Sequence, residues 1–363
     1  MLKNGKSQYW DMILKASTIF AFLFFGLWID GCNDCNVNGN IDNTPGDICF
    51  SGIPLNLNEH SVYTVDKDGT KLREFISNGK LYSAPDINNR ICRLENLANG
   101  QKNVYLSSVK NENEVKVISG NYYPDVEIPV LSHIGELISF YGGDSRLLLT
   151  SSNQGMATII SERCYSAFIP SFSADGEFLA FISSENDSLF FNVVGTKNKE
   201  KIYSKGFDFL MPDYNIYHKV SLNIETNRVI FSVTLKDSSS SIVIYDFNDL
   251  VYSEFIIENP FIMNPVFINN ELRVVITGSD GNLWLKDLAD PSFNAFKLTD
   301  VSGDEFCTYV DHYDKENLVV YTQLSKSGNS GSVLKILDVE NKEETVLASH
   351  IFMGFWLSKE KLN

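Results

Sequence analysis

The chain repeats itself. Pro129-Val-Leu-Ser-His-Ile-Gly-Glu-Leu-Ile-Ser-Phe140 aligns without a gap on Pro170-Ser-Phe-Ser-Ala-Asp-Gly-Glu-Phe-Leu-Ala-Phe181. Both read as a short strand, a tight turn with glycine at the left-handed position, and a second strand. A fixed period constrains the fold more than any single motif, because each unit must bury its faces against the next. The bulky residue that ends the pattern recurs as Phe50, Leu94, Phe140, Phe181, Phe231, Ile276 and Tyr321, at intervals of 44, 46, 41, 50, 45 and 45 residues. A third apolar run follows each marker, at residues 62–66, 104–106, 147–150, 189–191, 242–246, 283–287 and 334–338. A fourth run tends to end in a hydroxyl residue: Ser77, Ser119, Ser161, Ser204, Thr299 and Ser349. Helical periodicity is almost absent past residue 45. Four strands in each unit of about 45 residues is the pattern of a β-propeller blade.

Seven markers imply an all-β, seven-bladed propeller of four-stranded blades, with six or eight blades as the alternatives. The first unit has no obvious first strand before Asp47-Ile-Cys-Phe50, and a spare run, Ile351-Phe-Met-Gly-Phe-Trp-Leu357, follows the last unit. The C-terminal run is therefore expected to supply the innermost strand of the blade that the N-terminal residues begin. Such closure leaves no unpaired sheet edge at the seam.

These repeats resemble the WD40-like, TolB-type propeller repeats of bacterial envelope proteins. The best-matching unit is Pro170 to Phe181, set against the family pattern Pro-x-Trp-Ser-Pro-Asp-Gly-x-x-Ile-Ala-Phe. Phe172 stands in place of its Trp and Ala174 in place of its second Pro. The unit from Pro129 also matches well, Pro265-Val-Phe267 matches in part, and the remaining units are recognisable by spacing. The resemblance implies protein or peptide partners at the mouth of a central channel.

Ahead of the repeats, residues 16–29 (ASTIFAFLFFGLWI) form an uncharged apolar run of 14 residues behind Lys15. A bilayer span takes about 20 residues, whereas this length suits the core of a signal peptide. The run ends in Ile29-Asp30-Gly31-Cys32, which resembles a bacterial lipobox. That resemblance implies cleavage before Cys32 and acylation of its thiol and new amine. The expected organisation is a signal peptide over 1–31, a tether over 32–46 and a single propeller domain over 47–363. An uncleaved N-terminal anchor is the alternative, and either Met1 or Met12 could be the start. The expected address is the bacterial cell envelope, on its periplasmic or cell-surface face, with the membrane reached through the N-terminal lipid.

Acidic residues outnumber basic ones 46 to 30, a formal charge of −16. The leader holds three Lys and two Asp, so its removal takes the charge to −17. No nucleic-acid partner is expected of such a chain, since phosphate binding needs a concentrated basic face. Cys35 and Cys49 are the candidate disulfide of an oxidising envelope. Cys92, Cys164 and Cys307 lie in or beside apolar strand patterns and read as buried thiols. Cys32-x-x-Cys35 lacks a second ligand pair, and no His precedes His60, so zinc is not expected there.

Motifs for chemistry are few. The Asp175-Gly176 turn and Asp66, Asp246, Asp287 and Asp338 at the ends of third strands read as turn formers. Asp66-Lys-Asp-Gly-Thr70 lacks the downstream Glu of a calcium loop. Gly143-Asp-Ser145-Arg lacks the final Gly of a nucleophile elbow, and neither His-Glu-x-x-His nor a phosphate loop occurs. No cofactor or resident metal is expected. Candidate binding residues are those placed where inter-blade loops open on one face: Tyr82, Tyr123, Asp125, Glu127, Tyr165, Asp213, Tyr217, His218, Glu305 and His350. Aromatics beside carboxylates suit an envelope protein, a peptide, a glycan or a basic partner. The expected function is a non-catalytic protein- or peptide-binding module. The alternative is a propeller-type lyase or glycosidase, whose carboxylates or His would come from distant blades and leave no local motif.

Overall fold

A computed structural model describes residues 47–357, apart from 54–59, 110–113, 124, 154, 186–187, 208–217, 236–238, 258–262, 269–271, 291–294, 314–315 and 326–330. The expected signal peptide and tether, with Cys32 and Cys35, lie outside the described residues, as do Asp213 and Tyr217.

Seven four-stranded antiparallel sheets follow one another along the chain. From the innermost strand outwards, blade I is Ile351–Trp356, Ile48–Gly52, Ser61–Val65 and Arg73–Ile76. Blade II is Lys80–Leu81, Arg90–Asn96, Lys102–Ser108 and Glu114–Ile118; blade III is Glu127–Leu131, Leu137–Gly142, Arg146–Ser151 and Thr158–Ser161. Blade IV is Ser171–Phe172, Phe178–Glu185, Ser188–Gly195 and Lys201–Phe207; blade V is Ser221–Asn223, Arg228–Thr234, Ser240–Asp246 and Val251–Ile257. Blade VI is Met263–Ile268, Arg273–Thr277, Leu283–Asp287 and Ala295–Lys297; blade VII is Glu305–Tyr313, Leu318–Ser325, Val333–Asp338 and Glu344–Ser349. Every marker residue falls in the second strand of its blade, and every expected third run is a third strand. The hydroxyl signal for the fourth strand is looser, since Ser204 sits in the middle of Lys201–Phe207 rather than at its end.

Burial follows position in the blade. Third strand Ser240–Asp246 of blade V is buried along its whole length, because both of its faces meet a neighbouring sheet. The outermost strands carry the exposed apolar residues, among them Val115, Val251, Phe296 and Val346. Apolar clusters fill the spaces between successive blades. One packs Phe191 and Phe231 of blades IV and V face to face at 4.8 Å, and another joins blade VII to blade I through Tyr63, Val320 and Trp356. Cys92, Cys164 and Cys307 are buried free thiols, as is Cys49 in the second strand of blade I. Burial pushes Cys164 up to about 11 and Cys307 up to about 12, so these thiols stay protonated at neutral pH.

The turns reproduce the sequence repeat atom for atom. Ser132 and Ser173 each accept a backbone hydrogen bond from the glycine three residues on, Gly135 and Gly176, at 2.8 and 3.0 Å. Their hydroxyls each accept a second bond, from the amides of Leu137 and Phe178, at 3.1 and 2.9 Å. Both glycines are left-handed, with φ of +76° and +73°. Asp246, Asp287 and Asp338 accept from amides two or three residues on, which is the turn role expected of them. The two glycines differ in surroundings. A methyl group on Gly135 would overlap the Arg90 guanidinium and the Asp86 carboxylate, whereas one on Gly176 would meet only the flexible end of Ile134. Gly176→Ala is thus expected to cost the ~1–2 kcal/mol of a left-handed alanine. Gly135→Ala is expected to cost ~1–3 kcal/mol more, because it also disturbs a buried charge pair. Urea midpoints of the two variants, compared at equal m-value, measure the difference.

The ring closes as the spare run implies. Ile351–Trp356 pairs antiparallel with Ile48–Gly52, from Ile48 opposite Trp356 to Gly52 opposite Ile351. Backbone bonds from Leu357 N to Asp47 O (2.9 Å) and from Ile53 N to His350 O (2.6 Å) extend the seam at both ends.

Candidate functional site

The innermost strands are irregular, and their irregularities build the channel. Register shifts interrupt the pairing of the innermost strands of blades III, VI and VII with their second strands. At each shift stands a left-handed non-glycine residue: Ile128 (φ 48°), Asn264 (φ 46°) and Tyr309 (φ 51°). A bulge of this kind bends a strand and re-aims the side chains after it. In blades IV and V, short parallel strands Phe168–Ile169 and His218–Lys219 pair with each other before the chain enters its own blade. That bridge brings two blades close at the channel wall.

Asn264 ties three blades together. Its side-chain oxygen accepts from the Lys219 amide at 2.8 Å, and its Nδ2 donates to Thr308 Oγ1 at 2.8 Å. Lys219 is thereby fixed with its ammonium 2.7 Å from Asp311 Oδ1 and 5.2 Å from the centre of the Phe355 ring. The other Asp311 oxygen accepts from the Trp356 amide at 3.2 Å. One ion pair thus links blade V to blade VII and holds the closing strand of blade I. Both side chains are mostly buried, at 15% and 17% exposed. A pair so placed holds geometry more than it adds stability.

Lys219, Asp311 and Trp356 line a cavity of about 310 Å³ in the channel. Its walls come from the ends of the innermost strands and the turns that follow them: Tyr82 to Ile87 of blade II, Val130, Leu131 and His133 of blade III, Ile169 to Phe172 of blade IV, and Lys219 to Glu225 of blade V. Blade VI adds Val266 and Phe267, blade VII Asp311 and His312, and blade I Trp356 and Leu357. Asp86 is taken up structurally. Its fully buried carboxylate accepts from Arg90 Nε at 2.7 Å and from the amides of Asn88 and Arg90. What remains for a ligand is an apolar wall of Tyr82, Phe172, Phe267 and Trp356, with Asp311, Lys219, Glu225, His133 and His312 as polar points. Among the described residues, no group of three or more His, Cys, Asp or Glu is placed to hold a metal ion.

Of the residues singled out by spacing, Tyr82 lines this cavity and the other described ones do not. Glu127 and Glu305 open the innermost strands of blades III and VII, and His350 precedes that of blade I, so they stand at the opposite end of the channel from the cavity. Glu127 accepts from Lys102 at 2.9 Å, Glu305 from the Ser302 hydroxyl at 2.9 Å, and His350 lies 3.3 Å from the Ser349 hydroxyl. The hydrogen bond from Ser302 holds Glu305 below the usual carboxylate range. Asp125 lies against the backbone of Gly143 at that same end. Tyr123 packs edge-on to Phe140 and accepts from the Ala157 amide at 3.0 Å; Tyr165 packs at a tilt on Phe168. His218 is buried, stacked on Phe168 at 4.8 Å, with neither ring nitrogen hydrogen-bonded to a described residue. Burial lowers it to about 4, so its ring is neutral at physiological pH. Lys219, Asn264 and Asp311 were not among the candidates, for they come from three blades with no common motif.

No family model matches the sequence, and no curated protein is similar to it. Solved structures do resemble the fold. A quinonprotein alcohol dehydrogenase-like protein from Bacteroides thetaiotaomicron superposes with a TM-score of 0.57 at 12% identity, over 87% of this chain and 77% of that one. The β-propeller domain of the Trilobed protease from Pyrococcus furiosus gives 0.50 at 14% identity, over 75% and 83%; that propeller has an open velcro topology, unlike the closed seam here. TolB from Acinetobacter baumannii gives 0.48 at 17% identity, over 75% and 67%. At these identities the likeness is one of fold. The chain is a seven-bladed β-propeller closed by its last strand, with TolB among the solved structures it resembles.

Proposed function

We propose that this chain is a lipid-anchored protein of the bacterial cell envelope, whose propeller binds a protein or peptide partner without performing chemistry on it. The observation that carries the binding reading is the channel cavity, which offers four aromatic side chains and a Lys219–Asp311 pair already held in place. Recognition sites are commonly apolar hollows with a few fixed polar points, and rigid points lower the ordering cost of binding. An aromatic or aliphatic side chain of the partner fits the apolar wall. Asp311, Glu225 and the formal charge of −16 favour a basic group beside it. The Cys32 motif supports the anchor.

The test compares the intact protein with a double variant, Lys219→Met with Asp311→Asn. It removes both charges at nearly constant volume and so leaves no unpaired buried ion. Partners recovered from solubilised envelope with the wild type are expected to fall by about tenfold or more with the variant, the effect of ~1.4 kcal/mol. Equal recovery of every partner would remove the cavity from the account. Labelled palmitate is expected on the wild type and not on Cys32→Ala; persistent labelling would refute the anchor.

A further inference from the structure

Beside the cavity, and sharing Tyr82 with its wall, stands a second constellation centred on Phe352 of the closing strand. Tyr82 meets this ring edge-on at 5.4 Å, Tyr309 lies 5.8 Å away, and the His60 ring is edge-on at 6.2 Å. The Lys80 ammonium stands 5.5 Å from the centre of the same ring. Three blades contribute: His60 and Phe352 belong to blade I, Lys80 and Tyr82 to blade II, and Tyr309 to blade VII. A backbone bond of 2.6 Å from Gly79 N to His60 O keeps His60 beside Lys80.

Two of these groups lack the partners their burial calls for. Lys80 is half-buried, yet no carboxylate among the described residues lies within ion-pair distance of it. His60 Nδ1 is buried and has no hydrogen-bond partner among the described residues. His60 is lowered to about 4 by burial and by the Lys80 charge, and Lys80 is lowered by burial and by Lys102. Lys102 itself is paired with Glu127 at 2.9 Å. Lys80 thus keeps its charge without a carboxylate partner among the described residues, in a chain of net −16.

We propose that Lys80 and His60 form a binding site for a carboxylate borne on an apolar group, of the kind found at the C-terminal residue of a peptide. The ammonium meets the carboxylate charge, the His60 Nδ1–H donates to one of its oxygens, and the apolar group lies against Phe352. One ammonium and one neutral ring donor match a single negative charge, whereas a phosphate dianion would leave charge unbalanced. The site shares Tyr82 with the cavity wall but uses neither Lys219 nor Asp311.

N-acetyl-L-phenylalanine is the probe, with N-acetyl-L-phenylalaninamide and inorganic phosphate as comparisons, each titrated into the intact protein by NMR and calorimetry. The acid is expected to bind saturably and about tenfold or more tighter than the amide, a difference of ~1.4 kcal/mol. The wild-type His60 ring resonances should move with the acid and not with the amide, a reading that needs no variant. Lys80→Met, which keeps an apolar stem over Phe352, should weaken the acid to the level of the amide. Lys197→Met, at an exposed ion pair of blade IV, should leave the affinity unchanged. Equal binding of acid and amide, or unchanged binding in Lys80→Met, would overturn the proposal. So would loss of binding in Lys197→Met, or inorganic phosphate binding as tightly as the acid.

Discussion

Truncation after His350, which removes Ile351–Trp356 and the residues beyond, is expected to leave a chain with no cooperative unfolding transition. Ile351, Met353, Phe355, Trp356 and Leu357 are all nearly or fully buried, and they are divided between the cluster shared by blades I to IV and the one joining blade VII to blade I. At ~1.5–3 kcal/mol per buried side chain, their loss amounts to ~7–15 kcal/mol, which equals the whole stability of an ordinary domain. The deletion also bares the ladder edge of Ile48–Gly52 and frees Asp311 from the Trp356 amide. Differential scanning calorimetry should show no peak, and near-ultraviolet dichroism should collapse. A synthetic peptide of residues 347–363 added in trans should restore part of the transition. A sharp urea transition with the wild-type m-value in the truncated chain would show that the seam does not hold the ring.

The second large effect is acid destabilisation through His218. Its folded-state value is about 4 against an ordinary 6.5, so between those values the unfolded chain binds the proton and the folded one does not. Stability from keeping this ring neutral is therefore complete above pH 6.5 and is lost as pH falls towards 4. The full span is ~3 kcal/mol at 1.36 kcal/mol per pH unit. His60 moves in the same direction over the same window and contributes less, being only half-buried. His218→Phe keeps the stack on Phe168 while removing two unbonded ring nitrogens, a change expected to be neutral or stabilising at pH 7. Urea titrations at pH 7 and pH 4.5 should show a drop smaller by ~2–3 kcal/mol in the variant than in the wild type. Equal drops would mean that His218 is not held neutral.

The fold was legible because a blade is a local object. Four strands within about 45 residues leave their markers, turns and third strands in the sequence, and Phe50 to Tyr321 fall in the same strand of every blade. Even the seam was legible, since Ile351 to Leu357 had no blade of its own. The parallel bridge between Phe168–Ile169 and His218–Lys219 was not, for two residues have no period to read. The site was legible only in Tyr82. Spacing tells which residue begins an innermost strand, but the hollow part of the channel depends on how side chains from seven strands fill it. Phe352 and Tyr309 occupy one stretch, and the bulges at Asn264 and Tyr309 turn Lys219 and Asp311 into partners across two blades.

The pairing of Ile48–Gly52 with Ile351–Trp356 joins residues roughly 300 apart in the chain. On a ribosome adding ~5–20 residues per second, the first strand waits ~15–60 s for its neighbour. Blades II to VII form from near neighbours and can assemble as they emerge, but blade I stays incomplete through that interval. The last strand to be made sets the earliest moment at which the ring can lock.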